Sequence, residues 1–193
     1  MPAVSLDVLD WRRQVARLYR AVREEPDLAA AHAGWCAGRQ RLVSEHPASP
    51  NRGAILRHAP YDPSLHFEVA VDPEVEPARL EIPTGTDGIV PFERIGRVEL
   101  AEVGSLDVWW LDSYGGGVWL PIRDRAPDTY GGGRYMLDTV KGADLGGRDG
   151  RLVVDLNFAY NPSCAYDEHW ACPLAPPGNV VDREVTAGEL VPR

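Results

Sequence analysis

Hydrophobic positions in the first 45 residues recur with helical spacing. Trp11, Val15, Leu18 and Val22 fall 4, 3 and 4 residues apart, one face of a helix that Ser5 can cap. Pro26 closes that helix, and Asp27 can cap a second. Leu28, Ala31, Trp35 and Leu42 carry the stripe on until His46-Pro47 stops it. Two helices joined this tightly predict a helical hairpin over residues 5–45, with Trp11, Trp35 and Cys36 in its core. Residues 46–63 are rich in turn formers, His46-Pro47-Ala48-Ser49-Pro50 and Ala59-Pro60-Tyr61-Asp62-Pro63, and predict a long ordered connector.

From residue 64 the period drops to two. Leu65, Phe67, Val69 and Val71 alternate with His66, Glu68 and Ala70; Leu80 and Ile82 alternate with Arg79 and Glu81. Val98 with Leu100, Leu106-Val108-Trp110 and Val118-Leu120-Ile122 pattern further strands. Turn signals stand at Gly85-Thr86-Asp87-Gly88 and Gly115-Gly116-Gly117. Leu152, Val154, Leu156 and Phe158 pattern a last strand, placing Asp155 and Asn157 together on its opposite face. Six to seven strands with no helix between them predict an α+β fold. Its helical hairpin packs on an antiparallel β-barrel or strongly curved sheet, within one domain over residues 1–189 whose β region spans 64–189.

Composition narrows the function classes. The 193 residues carry a formal charge of −9, and Lys141 is the only lysine. Phosphate backbones and anionic membranes are bound through clustered cations, so no nucleic-acid or membrane partner is expected. No apolar run approaches the roughly 20 residues that span a bilayer, and the N-terminus has no signal-peptide pattern. With three cysteines, the chain reads as a soluble cytoplasmic protein with free thiols. Leu190-Val191-Pro192-Arg193 spells the residues left by thrombin cleavage and is given no functional weight. Oligomeric state is not legible.

The last third is dense in polar residues. Asp124, Thr129-Tyr130, Gly133-Arg134-Tyr135, Asp155, Asn157, Ala159-Tyr160-Asn161-Pro162, Cys164-Ala165-Tyr166, Cys172-Pro173 and Ala187-Gly188-Glu189 follow one another at short intervals. This run resembles the bacterial and archaeal family catalogued as domain of unknown function 1684. The likeness extends over about Asp10 to Glu189, with His46-Pro-Ala-Ser49-Pro and Tyr61-Asp62-Pro63 resembling its upstream part. Ile122 stands where many relatives have phenylalanine. The resemblance brings no activity with it.

Read from the residues, Arg134 behind three glycines suits an anion anchor, since glycine admits close backbone approach and guanidinium grips carboxylate bidentately. Asp124 and Asp155 are candidate bases. Tyr130 and Tyr160 are candidate acids, and Cys164 is a candidate nucleophile with His46 or His169 as its base. Asn157, Asn161, Tyr135 and His46 complete a candidate ligand shell. Against each stands a bland role: the carboxylates pair with Arg123 or Arg134, and the phenols pack by their rings. Cys164, His169 and Cys172 lack a fourth zinc ligand, for which His46 or Asp167 are the nearest choices, and their spacing is not that of a standard knuckle, so no metal is expected. No nucleotide, flavin, haem or pyridoxal signature is present, so no cofactor is expected. Three readings follow: a small-molecule hydrolase, lyase or isomerase acting on a small anionic substrate in a barrel pocket, a non-catalytic module binding such a ligand, or a buried polar network without a ligand.

Overall fold

The structure, a computed structural model, describes residues 2–85 and 88–192. Thr86 and Asp87, the centre of one expected turn, and Arg193 lie outside the described residues. Helix α1 spans Pro2–Glu24 and α2 spans Leu28–Glu45. Both follow the apolar stripe, although α1 begins three residues before Ser5. The α2 start is the one the sequence marks: the Asp27 carboxylate accepts from the Ala29 and Ala30 N–H groups at 2.9 and 3.1 Å, satisfying two orphan donors of the first turn. Tyr19, Val22, Ala31, Trp35, Leu42 and Val43 are buried, so each helix sinks one face into the core.

Among the described residues seven strands follow: β1 His66–Ala70, β2 Arg79–Thr84, β3 Gly88–Leu100, β4 Gly104–Leu111, β5 Val118–Ile122, β6 Arg134–Asp138 and β7 Arg151–Asp155. β2 to β6 form a five-stranded antiparallel meander, and β1 pairs antiparallel with β7 alone. The expected hairpin on antiparallel sheets is therefore found, but the two sheets do not close into a barrel. Among the described residues the backbone ladders between them are isolated bridges, Asp72 to Arg97 and Tyr135 to Tyr160, and residues of both sheets share the main core. At the first junction Gly96 sits in a β3 bulge, where a Cβ would lie 2.4 Å from Val71 Cγ1 and 2.7 Å from the Asp72 carbonyl oxygen. Only a residue without a side chain lets the two sheets meet there.

Two elements depart from the periodicity. β6 has all five residues buried, so no alternation announces it. β7 stops at Asp155 rather than running to Phe158, because the Asp155 carboxylate accepts from the Asn157 N–H at 2.9 Å and turns Leu156–Phe158 into a 3-10 turn.

The five-stranded sheet contributes buried residues to two clusters. Val98, Leu106, Val108, Leu120, Ile122, Met136 and Leu137 join the helices in the main core. Phe92, Trp109, Trp119 and Tyr135 form a separate aromatic cluster, flanked by Leu80, Ile82, Val90 and Leu111. Trp109 and Trp119 are directly opposed across β4 and β5. Among the described residues no helix is long and apolar enough to cross a membrane.

Candidate functional site

The polar run of the last third folds into hydrogen-bonded knots, each with its own partners. Arg134, fully buried, donates to Asp124 Oδ2 at 2.8 Å and to the carbonyls of Ala187, Glu189 and Val185, the last two at 3.3 and 3.2 Å. Burial pulls its affinity for the proton down and the Asp124 charge opposes that. Asp124 Oδ1 accepts from Ala126 N, Thr129 Oγ1 and Val185 N. The triple glycine ahead of Arg134 does bring the backbone close, but to protein. A Cβ on Gly133 would lie 2.9 Å from the Ile122 carbonyl oxygen and 2.8 Å from Ala175 Cβ, at a φ of +95°.

Asp155 accepts from Asn157 Nδ2 at 2.7 Å and bonds His66 Nδ1 at 2.9 Å. Asn157 in turn exchanges two 2.8 Å bonds with the backbone of Asp62, fastening the Pro-rich connector. Asn161 donates to Glu189 Oε1 and the Leu190 carbonyl. Glu189, 0% exposed, meets Arg39 Nε at 2.5 Å. Burial pushes the Glu189 carboxyl up and Arg39 pulls it back. Arg39 also reaches Tyr166 Oη at 3.3 Å and lies over the Tyr160 ring at 4.6 Å. Leu190 and Val191 are held through their N–H groups by Arg57 and Asp128 carbonyls at 2.8 Å.

The remaining predicted residues are dispersed. Tyr130 donates to Cys164 Sγ at 3.6 Å, and the phenol is raised to about 12, chiefly by burial. Cys172, beside Cys164, is likewise raised by burial, to about 11. His46 bonds Asp10 at 3.2 Å and accepts from Ala48 N at 3.0 Å, on the outer groove between the helices. His169 turns to Asp167 at 2.7 Å, and no group of three or more His, Cys, Asp and Glu gathers in metal-holding geometry among the described residues.

A different set of residues lines open space. A cavity of about 310 Å³ lies against the aromatic cluster. Phe92, Trp119 and Tyr135 line it from the sheet, and Ile89, Val90, Leu111, Val118 and Val140 add apolar surface. Phe92 and Trp119 pack at 4.7 Å between ring centroids, and Trp119 meets Tyr135 edge-on at 5.6 Å. The Tyr135 hydroxyl donates to the Pro173 carbonyl, and Pro173 also lines the cavity. Its charged lining residues are Arg12 from α1, Lys141 from the 3-10 turn after β6, and Asp138. Lys141 Nζ and Asp138 Oδ2 are 3.3 Å apart. Two cations against one carboxylate make this lining net positive on a chain whose formal charge is −9. A smaller cavity of about 90 Å³, sharing Tyr135, Asp138 and Lys141 with the larger one, is lined further by Tyr19, Arg39, Tyr160 and Asn161.

Of the predicted residues, the structure thus places Tyr135 on the aromatic-lined cavity and brings Tyr160 and Asn161 to its small neighbour. Cys164 lies on a shallow recess with Tyr166 and His169, and His46 on the outer groove. Asp124, Tyr130, Arg134, Asp155 and Asn157 line none of these spaces. Sequence reasoning passed over Arg12, Phe92, Trp119 and Lys141, which lie in four distant stretches and form no motif. Arg39 alone carried a signal, a charge one turn beyond Trp35 on a buried helix face.

Comparison with known proteins agrees with the resemblance read in the sequence. Residues 54–190 match the family model described as protein of unknown function (DUF1684). No curated protein matches the chain. Five solved chains match. One is the solution NMR structure of an uncharacterised protein from gene locus rrnAC0354 of Haloarcula marismortui. It is 29% identical over 80% of this chain and 89% of its own, with a TM-score of 0.54.

Proposed function

The chain belongs to the DUF1684 family, and from that premise we propose that it is a non-catalytic binding domain for a small amphipathic anion. The apolar body of the ligand packs on Phe92, Trp119 and Tyr135, and its carboxylate faces Arg12 and Lys141. One observation carries this reading: an aromatic-lined cavity of about 310 Å³ whose charged residues are two cations and one acid. That volume is at the small end of ligand sites, and apolar walls with a few polar groups are their usual make-up.

Binding is favoured over turnover because the residues read as catalytic stand apart from the cavity. Cys164 Sγ accepts from Tyr130 Oη, His46 bonds Asp10 and His169 bonds Asp167, and none of these residues lines it. Asp124 and Arg134 neutralise one another inside the protein, away from the cavity.

Thermal unfolding in the presence of aryl and alkyl carboxylates tests the proposal, with phenylbutanoate and its neutral amide as the leading pair. The carboxylate is expected to raise the midpoint in proportion to the logarithm of its concentration, and the amide to do so less. The Arg12→Ala, Lys141→Ala double variant should lose the difference. A midpoint unmoved by every carboxylate, or moved equally by acid and amide, overturns the reading.

A further inference from the structure

Two of the three cysteines stand in the last third of the chain, and the fold brings them together. From Ser163 the backbone runs through consecutive turns. The Asp167 N–H donates to the Ser163 carbonyl at 3.2 Å, and the Trp170 N–H to the Asp167 carbonyl at 3.1 Å. The Asp167 carboxylate also accepts from the His169 N–H at 3.0 Å. These turns fold the segment back, so that Cys172 returns to Cys164 and its sulfur is held by that residue's thiol and backbone N–H. Both ends of the segment are fastened to the body of the protein. Tyr166 Oη accepts from Arg39 at 3.3 Å, and the Pro173 carbonyl accepts from the Tyr135 hydroxyl. Each cysteine is half-buried; Cys164 lines the surface recess and Cys172 the small cavity. Cys36 stands on α2, its sulfur 3.5 Å from His32 Nε2.

We propose that Cys164 and Cys172 form a redox-active dithiol, closed to an internal disulfide by low-molecular-weight disulfides. The Cys164 thiolate, at the open recess, attacks one sulfur of R–S–S–R, forming a mixed disulfide and releasing RS⁻. Cys172 then gives its proton to solvent and attacks the Cys164 sulfur, displacing the second RS⁻. The two protein thiols lose two electrons and two protons, and R–S–S–R leaves as two RSH. Excess RSH runs the same steps backwards. Two features favour the closed product. The second step joins groups that the turns already hold together, so little loop-closure entropy opposes it. Burial also raises the Cys172 thiol to about 11, so near neutral pH the reduced form gains no stability from a thiolate there.

Incubating the full chain in glutathione buffers of rising oxidised fraction, then alkylating and weighing its tryptic peptides, tests the proposal. Of the three thiols, only Cys36 is expected to remain open to alkylation. The peptide Leu152–Arg183, which contains both other cysteines, should be lighter by two hydrogens, and reduced dithiothreitol should restore it. Cys172→Ser should accumulate a glutathione adduct at Cys164, about tenfold more than wild type, because the intramolecular displacement is gone. The wild-type peptide is a readout independent of whether the variant folds. Three alkylated thiols at every buffer composition, glutathione adducts on both cysteines of the wild type, or a disulfide between two copies in place of the internal one would each overturn the proposal.

Discussion

Two regions of this protein draw on the same residue types to opposite effect. The knot around Arg134 and the cavity around Trp119 each combine arginine, aspartate and tyrosine. In the knot the charges are paired with one another: Arg134 meets Asp124 and three carbonyls, and Glu189 meets Arg39 and Asn161, although the buried Arg134 Nε and Asn161 Oδ1 meet no partner among the described residues. At the cavity the aromatic and apolar walls face open space, with Arg12 and Lys141 among its lining residues. The density of polar residues therefore marks where the chain is locked. The place where it can receive something is marked by aromatic residues that have space beside them.

The largest expected effect of breaking this contrast is on the knot. Arg134→Met strands the Asp124 carboxylate, whose side chain is 2% exposed, and should cost about 3–5 kcal/mol in chemical denaturation. Carboxylate affinity of the folded fraction should be unchanged.

Acid should weaken the fold through His58, which packs edge-on against Trp35 at 5.3 Å. Burial, then Arg39 and His32, depress its pKa from 6.5 to about 4. The unfolded chain takes up the proton first, so stability present above pH 6.5 drains away as pH falls toward 4, by about 2–3 kcal/mol. His58→Phe should flatten that part of a stability-against-pH curve.

Asn157→Ala removes both bonds to the Asp62 backbone and one to Asp155. It is expected to cost about 2 kcal/mol and to speed hydrogen exchange in the connector. Asp27→Ala removes the α2 cap and should cost about 1 kcal/mol by the same denaturation measurement. The smallest effect on stability belongs to the Arg12→Ala, Lys141→Ala double variant, within about 0.5 kcal/mol of wild type. Its effect on carboxylate binding should nevertheless be the largest of the five.

How much of this was legible depends on how local the signal is. Both helices were readable from a 3.6-residue stripe and the Asp27 cap, and six of the seven strands from alternation. β6 was not, because Arg134 to Asp138 is buried on both faces and carries no alternation. The end of β7 was misread because a side chain, Asp155, supplies the hydrogen bond that turns the chain, and periodicity carries no record of that choice. At the knot the residues were visible as a motif, but their partners, the carbonyls of Val185, Ala187 and Glu189, are backbone atoms that no side-chain pattern can announce. The cavity was least legible. It joins Arg12, Phe92, Trp119 and Lys141 through the fold alone, and hydrophobic residues facing space have the same sequence pattern as those facing one another.

The contrast between the two regions is tested most directly by amide and indole shift mapping during titration with phenylbutanoate. The account predicts perturbations centred on Phe92, Trp119, Tyr135 and Val140, with Arg12 and Lys141 at their edge and the resonances of Arg134, Asp155 and Asn157 unmoved. Shifts centred on Arg134 and Asn157, with those of Trp119 unchanged, would contradict it.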